Sequence, residues 1–250
     1  MTEHENQKEV AGYPRPSEVS LPLEKMQKWY QYERKDFVEH FNKVDNATVL
    51  DLSKDYGKPA TLIHIDNGSG ILAVAHIDTV QKGDVLGNDL EFVFTTQKGD
   101  GDYEYSLLAH PRHDDRMGVA LAMEVLWMYG CKYDILLCDH EESGESTSSY
   151  VDELPKSLAG RYNWMFEFDR AGSDAAMYQY MSVPSWKAAV EKAGWKTSRG
   201  SFTDICWLGT LGCCGFNPST GVSQGHSKGS YVDMRELAFS VANFISFYHN

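Results

Sequence analysis

The stretch Ile71-Leu-Ala-Val-Ala-His-Ile-Asp-Thr-Val80 leads from an unbroken apolar run straight into side chains that can bind metal ions. Its first five residues are apolar throughout, which is typical of a strand that is buried on both faces of a sheet. Polar residues that follow such a strand lie at the carboxyl edge of the sheet, where the functional loops of parallel sheets gather. The stretch therefore predicts an α/β fold that presents His76 and Asp78 at this edge.

Four further segments carry candidate ligands in similar positions, at the end of an apolar run or at the start of a helical pattern. They contain Asp114 in His-Asp-Asp-Arg, Glu141 and Glu142 in Asp-His-Glu-Glu-Ser, Asp169 in Phe-Glu-Phe-Asp-Arg, and His226 in Gly-His-Ser-Lys. Two zinc ions need a shared carboxylate and two terminal ligands each, and two histidines with three carboxylates meet that requirement. One of the two adjacent glutamates then remains to carry the proton of a bound water.

Each candidate also has an ordinary structural explanation if it is taken alone. A histidine at a strand end, such as His76, is more often a hydrogen-bonded core residue than a ligand. Asp114 or Asp115 can cap the helix that follows them, and Asp169 can form a surface ion pair with Arg170. The order of all the candidates along the chain favours the metal site.

The composition limits the classes of function. The 250 residues are 42% hydrophobic and 24% charged, which predicts an ordinary soluble domain with a core of its own. The formal net charge of −13 argues against a nucleic-acid partner, because phosphate binding requires a basic face. The sequence shows neither a secretory leader nor an apolar stretch of about 18 residues, so we expect a cytoplasmic protein without a membrane partner. The five cysteines lack Cys-x-x-Cys spacing and predict buried free thiols.

Strand patterns alternate with helical patterns along the chain, which favours a three-layer α/β sandwich with a mostly parallel central sheet and helices on both faces. We expect residues 1–20 to form a flexible arm, residues 21–250 to form a single domain, and a small hairpin to be inserted at about 85–110. Strands are predicted at Thr48–Leu52, Thr61–Ile65, Ile71–Ala75, Leu90–Thr96, Tyr103–Leu108, Asp134–Cys138, Trp164–Phe168 and Gly212–Phe216, with a tight turn at Asp66–Gly70. Helices are predicted at Leu23–Val44, Arg116–Met128, Ser149–Leu158, Pro184–Ala193 and Met234–Tyr248.

The ordered series His-x-Asp, Asp-Asp, Glu-Glu, Asp and His resembles the co-catalytic zinc exopeptidase clan, which includes aminopeptidases, small carboxypeptidases and deacylases of N-acyl amino acids. The resemblance covers the chain from about Leu62 to the last residue, and the Glu-Glu and His-x-Asp-Thr-Val segments are its most specific parts. It implies the α/β fold of this clan, two divalent metal ions (zinc, or cobalt or manganese), and cleavage of a peptide or amide bond by water.

The resemblance also implies a role for each matching residue. The implied roles are terminal ligands of one zinc ion (His76 and Asp169), terminal ligands of the other (Glu142 and His226), a bridging carboxylate (Asp114), a general acid/base (Glu141) and a carboxylate that orients the first histidine (Asp78). The clan often has a cis peptide in the Asp-Asp pair, which here is the Asp114–Asp115 bond. We interpret His110, His113 and His140, which lie near the candidates, as loop or pocket-lining residues.

The spacing of the motifs distinguishes branches of the clan. Deacylases and carboxypeptidases usually carry a lid domain between the fourth and fifth ligands, whereas only 57 positions separate Asp169 from His226. Large tetrahedral aminopeptidases insert a comparable domain between His-x-Asp and Asp-Asp, but here 36 positions separate Asp78 from Asp114. The chain therefore resembles a lidless aminopeptidase, a monomer or small homo-oligomer that acts on small peptides or amino-acid amides.

Three alternatives remain open from the sequence. They are a carboxypeptidase or N-acyl amino acid deacylase with the same site, a non-catalytic relative used for binding, and a glutaminyl-cyclase-like transferase with one zinc ion. An intact Glu141 beside all five ligands favours a catalyst, and His76 with Asp78 disfavours the single-zinc alternative. Arg170 argues against the aminopeptidase hypothesis, because a guanidinium can hold a substrate carboxylate. Asp204 resembles a polar residue that recurs near the pocket in relatives.

Overall fold

The computed structural model of the chain describes residues 13–80, 91–96, 104–179 and 183–250. Residues 1–12 of the predicted arm, together with residues 85–90 and 97–103 of the predicted hairpin insertion, lie outside the described residues. No helix in the described part is long and apolar enough to cross a membrane. All five cysteines are free thiols; three are buried, whereas Cys206 is exposed and Cys214 is partly exposed.

Twelve strands of the described chain form one mixed sheet. They are β1 (Ala47–Asp51), β2 (Thr61–Ile65), β3 (Ile71–His76), β4 (Glu91–Thr96), β5 (Glu104–Ala109), β6 (Asp134–Cys138), β7 (Trp164–Glu167), β8 (Arg170–Ala171), β9 (Ala175–Tyr178), β10 (Thr197–Arg199), β11 (Cys214–Ser223) and β12 (Tyr231–Asp233). The order across the sheet is β1-β2-β6-β3-β7-β11-β12-β5-β4, with β8 and β9 paired to β11 and β10 paired to β9.

The centre of the sheet is parallel, and both margins are antiparallel. Strand β3 pairs parallel with β6 and β7, and β7 pairs parallel with β11. The registers place His76 opposite Cys138 and Val74 opposite Glu167, so β3, β6 and β7 end at the same edge. The predicted α/β fold is confirmed, but the sheet is less parallel than predicted, because β1, β2, β4, β5 and β12 pair antiparallel.

The predicted tight turn at Asp66–Gly70 joins β2 to β3, yet these strands are not neighbours, because β6 lies between them. The carboxylate of Asp134, the first residue of β6, accepts hydrogen bonds from the backbone N–H groups of Asn67 (2.8 Å) and Ser69 (3.0 Å). The turn therefore passes over the start of β6 instead of closing a hairpin. Asp134 is fully buried, and these backbone donors satisfy its Oδ1 atom, while Oδ2 accepts from the Tyr162 hydroxyl (2.9 Å).

The described helices surround this sheet. The α-helices are α1 (Leu23–Gln31), α2 (Arg34–Phe41), α3 (Ser53–Tyr56), α4 (His113–Ala120), α5 (Leu126–Met128), α6 (Pro184–Lys192) and α7 (Met234–His249), with a π-helical turn at Leu121–Val125 between α4 and α5. Short 3-10 helices occur at Pro16–Glu18, Glu141–Ser143, Thr147–Glu153 and Asp204–Leu211.

The two faces of the sheet are covered by different kinds of helix. Ala73 of β3 belongs to a core that includes residues of α1, α2, α4 and α7. Its neighbour Leu72 points to the other face and joins a second core with Leu208 and other residues of the 3-10 segments. The predicted helix Ser149–Leu158 lies in this second layer, where the chain forms the 3-10 helix Thr147–Glu153 instead. The molecule thus has three layers, of which one is largely 3-10 helix.

The single helix predicted at Leu23–Val44 is divided into α1 and α2 at Tyr32 and Glu33, which have extended backbones. The buried guanidinium of Arg116 donates a hydrogen bond to the Tyr32 carbonyl (2.9 Å), so this carbonyl does not accept from the next helical turn. The backbone N–H of Glu33 donates to Asp36 (2.8 Å) and begins α2 with a cap of its own. A tertiary contact therefore overrides the amphipathic pattern here.

Candidate metal centre

The structure brings the five candidate ligands and Glu141 together at the carboxyl edge of the parallel strands. Three strands each end at or next to a candidate: β3 at His76, β6 before Glu141 and Glu142, and β7 before Asp169. The other two candidates come from the start of α4 (Asp114) and from the loop between β11 and β12 (His226). The parallel registers described above therefore explain why residues far apart in sequence meet.

One group of three candidate ligands is centred on His76, whose side chain is fully buried. Its Nε2 atom lies 3.2 Å from Asp114 Oδ1 and 3.7 Å from Asp169 Oδ1. Glu141 lies next to this group, with its Oε2 atom 3.9 Å from the same Nε2. One imidazole nitrogen and two carboxylates that face each other suit a divalent zinc, cobalt or manganese ion.

A second group shares Asp114 with the first. The Nε2 atom of His226 lies 2.8 Å from Asp114 Oδ2 and 3.0 Å from Glu142 Oε2. Asp114 thus turns a different carboxylate oxygen to each group, which is the arrangement that a bridging ligand requires. The other carboxylate oxygen of Glu142, Oε1, is buried and has no hydrogen-bond partner among the described residues, so this acceptor fits a cation.

Asp78 links His76 to the glutamate pair. Its Oδ1 atom lies 3.3 Å from Nδ1 of His76, on the ring side opposite the ligand group. The same carboxylate accepts hydrogen bonds from the backbone N–H groups of Glu141 (3.1 Å) and Glu142 (3.2 Å). Asp78 therefore orients the imidazole, as a carboxylate behind a metal-binding histidine does, and also fixes the start of the Glu141–Ser143 turn.

The carboxylates of the two groups are crowded and shielded from water. Burial raises the pKa of Asp169 well above its ordinary value, and the nearby charge of Asp114 adds to the effect. Burial also raises the pKa of Glu142, and it raises the pKa of Glu141 to about 7. Burial alone would raise the pKa of Asp114 too, but hydrogen bonds from the two histidines hold it well below its ordinary value. The carboxylates of the site therefore repel one another, and cations between them would relieve this repulsion.

Protons on the histidines compensate this charge in the metal-free protein. Burial alone would lower the pKa of His76, but hydrogen bonds to Asp114, Asp169 and Asp78 raise it well above its ordinary value. A hydrogen bond to Asp114 is the main cause that raises the pKa of His226 to about 9. Because a histidine must lose its proton to bind a metal ion, cation binding would release these protons.

The peptide bond between Asp114 and Asp115 is cis, as the family resemblance implies. Asp114 and Asp115 have non-helical backbones within α4. Asp115 is buried and accepts hydrogen bonds from the backbone N–H groups of His76 (3.3 Å) and Gly118 (3.0 Å), so this aspartate caps the regular part of α4 that follows it. A Cβ atom at Gly118 would lie 2.3 Å from Asp115 Oδ1 and 2.7 Å from the carbonyl oxygen of Phe168. Only glycine at this position lets α4 approach the ends of β3 and β7 closely.

The neighbouring histidines that the sequence analysis set aside have other partners. His113 contacts the Tyr30 hydroxyl through Nδ1 (2.9 Å) and a backbone carbonyl through Nε2 (2.8 Å), and burial lowers its pKa to about 3. His140 contacts the Pro59 carbonyl (2.9 Å), and His110 accepts a backbone hydrogen bond. None of these three histidines belongs to either ligand group in the described part of the chain.

An arginine that the sequence pattern does not indicate holds the segment leading into the glutamate turn. Arg34, in the first turn of α2, forms two hydrogen bonds with the fully buried carboxylate of Asp139, one of them 2.8 Å long. Asp139 also accepts the backbone N–H of Thr61 (3.2 Å), and it lies two residues before Glu141. Arg34 therefore anchors the segment that carries Glu141 and Glu142 to the N-terminal helices.

Replacing Arg34 with alanine is expected to lower the free energy of unfolding by about 1–3 kcal/mol, because the charge of Asp139 stays buried without its main partner. The side chain of Arg34 is 32% exposed, so water compensates part of the loss. Urea unfolding of the metal-free protein measures the change. Arg15→Ala is the matched control, because Arg15 pairs with Glu18 on the surface and its loss is expected to cost less than about 0.5 kcal/mol. Equal losses in both variants would contradict an anchoring role.

Behind the ligand groups lies a second acidic pair, Glu167 and Asp204, both fully buried. The hydroxyl of Thr203 donates to Glu167 and lies 3.4 Å from Asp169 Oδ2, and the hydroxyl of Ser146 donates to Asp204. Asp204 was noted from the sequence, whereas Glu167 was not. Glu167 could have been predicted to lie near the site from its position two residues before Asp169, because alternate residues of a strand lie on the same face.

Comparison of the sequence finds no matching protein-family model and no matching curated protein. Comparison of the structure does find similar folds. Aminopeptidase PepT from Bacillus cereus ATCC 10987 superposes with a TM-score of 0.56 at 11% identity, over 95% of this chain and 99% of that chain. The chain has the zinc-exopeptidase fold.

Two further structures share the zinc-exopeptidase fold. A tripeptidase from Staphylococcus aureus subsp. aureus mu50 has a TM-score of 0.54 at 11% identity, over 95% of this chain and 98% of that chain. The glutaminyl cyclase from Porphyromonas gingivalis has a TM-score of 0.56 at 14% identity, over 91% of this chain and 97% of that chain. Because this fold carries both peptidases and a cyclase, it does not decide the reaction of this chain.

Proposed function

We propose that the chain is a two-metal metallopeptidase that removes the amino-terminal residue of small peptides. The observation that carries the proposal is the pair of ligand groups joined by Asp114, whose Oδ1 and Oδ2 atoms face His76 and His226 respectively. A single-metal transferase would need only one such group. The presence of both groups, with Glu141 beside the first, favours hydrolysis over cyclisation.

In the proposed mechanism, His76, Asp114 and Asp169 would hold one cation, and Asp114, Glu142 and His226 would hold the other. When bound, the two cations would polarise the scissile carbonyl and lower the pKa of the attacking water. The carboxylate of Glu141 takes a proton from this water as the water oxygen bonds to the carbonyl carbon. Glu141 then gives the proton to the amine nitrogen as the C–N bond breaks. Burial raises the pKa of Glu141, which favours its holding and returning this proton.

Two observations support an aminopeptidase rather than a carboxypeptidase. The site holds a further carboxylate, Glu141, beside the three that would hold the cations, so the α-amine of a peptide has an acidic partner there that a free carboxylate lacks. Arg170 is the cation beside Asp169 that was expected to compete for a substrate carboxylate. It pairs instead with Asp174 through two hydrogen bonds of 2.5 and 2.9 Å and with Ser198 through one of 2.9 Å. The guanidinium of Arg170 is therefore engaged by side chains of the protein and not directed at a substrate carboxylate.

We expect metal-loaded protein to cleave dipeptides with a free amino group faster than their N-acetyl counterparts, by roughly two orders of magnitude or more in kcat/KM. The physical reason is that acetylation removes the free amine that would dock beside the cations and the Glu141 carboxylate. A panel of amino-acid anilides, dipeptides, N-acetyl amino acids and peptides with a blocked amino group measures the difference. Faster cleavage of N-acetyl amino acids, or release of C-terminal residues, would reject the aminopeptidase assignment in favour of a deacylase or carboxypeptidase.

A further inference from the structure

Arg116, in α4, is one of the largest side chains of the core, and only 1% of its surface is exposed. Its two Nη atoms donate hydrogen bonds to the backbone carbonyls of Ile77 (2.6 Å) and Tyr32 (2.9 Å). Its Nε atom is buried and has no hydrogen-bond partner in the described part of the chain. A buried cation is costly when carbonyl groups rather than a carboxylate compensate its charge, and an apolar side chain of similar volume would fill this space at a lower cost. The two hydrogen bonds are therefore the reason to expect a specific task for Arg116.

The Ile77 carbonyl lies at the point where β3 leads into the candidate metal centre. Ile77 stands between the ligand His76 and the carboxylate residue Asp78. Its backbone N–H donates to the Cys138 carbonyl of β6 (2.7 Å), while its carbonyl accepts from Arg116. This carbonyl belongs to the planar peptide group that joins Ile77 to Asp78, so a donor that fixes its direction also fixes the direction in which the chain leaves β3.

Asp78 transmits this position to the centre. Its Oδ1 atom and its carbonyl oxygen lie 3.3 Å and 3.1 Å from Nδ1 of His76. Its carboxylate also accepts the backbone N–H groups of Glu141 and Glu142. A rotation of the peptide group before Asp78 would move both of its oxygens away from the His76 ring. The hydrogen bond from Arg116 opposes this rotation.

The guanidinium of Arg116 is itself held on the side that faces away from β3. Its second Nη atom donates to the carbonyl of Tyr32, the residue at which α1 ends. Its Cζ atom lies 5.0 Å from the centre of the Phe37 ring of α2, within the range of a cation–π contact. Arg116 therefore connects the end of β3 to the junction of the two N-terminal helices.

We propose that Arg116 is a positioning residue of the candidate metal centre, which holds the Ile77 carbonyl and thereby keeps Asp78 behind His76. The inference rests on the two-metal site of the proposed function and deepens it, because it adds a residue that contacts neither cation nor substrate. The ligand group that contains His76 depends on Arg116 the most, since the His76 ring contacts Asp78 directly. Glu142, in the other group, is connected to Asp78 only through its backbone N–H.

The test measures zinc affinity in protein that retains one complete ligand group. In a His226→Gln background, only the group that contains His76 is complete, and in an Asp169→Asn background, only the other group is. We expect Arg116→Lys and Arg116→Met to weaken zinc binding about tenfold or more in the first background, and by less than about threefold in the second. Lysine keeps the charge but lacks the planar fork that reaches both carbonyls, and methionine removes the donors. Equal losses in the two backgrounds would indicate a general loosening of the fold and overturn the proposal.

A double-mutant cycle tests whether Arg116 acts through Asp78. If it does, Arg116→Lys should change zinc affinity by less than about twofold once Asp78→Ala has removed the link, because the two effects are then not additive. A loss that is as large with Asp78→Ala as without it would overturn this route. Tyr133→Phe is the matched control, because it also removes a buried hydrogen bond to a backbone carbonyl, that of Ala122 (2.8 Å). It is expected to leave zinc affinity unchanged, while urea unfolding of the metal-free variants measures the loss of stability in each.

These titrations against a chelator require no hydrolysis, so they separate this proposal from the proposed function. If the wild-type protein binds two cations but cleaves no peptide, the proposed function fails, while the selective loss of zinc affinity in the Arg116 variants would still support the positioning role. If peptides are cleaved and folded Arg116→Lys binds zinc as tightly as the parent protein, the positioning role is overturned and the proposed function stands. A wild-type protein that binds no cation at this site would overturn both.

Discussion

Glu141→Gln is expected to leave both metal ions bound and to lower kcat/KM for peptide hydrolysis by about 10²–10⁴-fold or more. Glutamine has nearly the same shape as glutamate but cannot accept the proton of the attacking water and pass it to the leaving amine. Glu141 lies beside His76 without belonging to either ligand group, so its replacement should not remove a ligand. Kinetics with free-amine dipeptides and elemental analysis of the purified variant measure the two effects.

Glu142→Gln is the matched control, because it makes the same change of charge at the adjacent residue. Glu142 Oε2 lies 3.0 Å from His226 Nε2 in the second ligand group, so this variant is expected to bind metal more weakly. Added metal should restore part of its activity, whereas it should not rescue Glu141→Gln. If Glu141→Gln lost metal and Glu142→Gln kept it, the roles of the two glutamates would be exchanged.

The convergence of the site residues could be predicted because local signals place them. His76 ends an apolar strand, the glutamate pair follows another, and Asp169 follows a third. Parallel strands put their carboxyl ends at one edge, so three local patterns determine a spatial cluster. No such pattern precedes His226, which lies in a loop with a positive φ of 64°. This loop follows a strand that was predicted too short. The place of His226 was predicted from the order of the motifs alone.

That truncated strand illustrates what local patterns miss. We predicted a strand at Gly212–Phe216, but β11 extends over Cys214–Ser223 and pairs with four other strands. Pro218 and Gly221 interrupt the apolar pattern and indicate a loop by their intrinsic preferences. In the structure, Pro218 lies opposite Ala175 of β9, and the neighbouring strands supply the partners that hold this segment extended. Tertiary pairing overrides local propensity here.

The anchoring of the glutamate turn was also beyond prediction. Arg34 and Asp139 are 105 positions apart, and an arginine within the helix predicted at Leu23–Val44 has the pattern of an ordinary surface residue. Asp139 follows an apolar strand, so its burial could be expected, but the sequence does not identify its partner. Contacts of this kind depend on how α2 packs against the sheet, which only the folded chain determines.

Asp114→Asn is expected to reduce the metal content of the protein from two ions to one or none, and to lower hydrolysis with it. Asp114 is the residue that both ligand groups share, with Oδ1 3.2 Å from His76 Nε2 and Oδ2 2.8 Å from His226 Nε2. An asparagine keeps one oxygen and replaces the other with an amide nitrogen, which cannot bind a cation in the same way. It also removes the negative charge that two neighbouring cations require between them.

Two control variants distinguish the loss of the shared ligand from the loss of a ligand in one group or of a carboxylate elsewhere. His226→Gln removes a ligand from the second group only, so it should retain the ion held by His76 and Asp169 more tightly than Asp114→Asn does. Asp174→Asn, which changes a carboxylate paired with Arg170 outside both groups, should retain both ions. Elemental analysis and titration of bound metal against a chelator measure stoichiometry and affinity without reference to activity. Two ions held by Asp114→Asn as tightly as by the wild-type protein would remove Asp114 from the bridging role, and the two-metal mechanism would lose the residue that connects its halves.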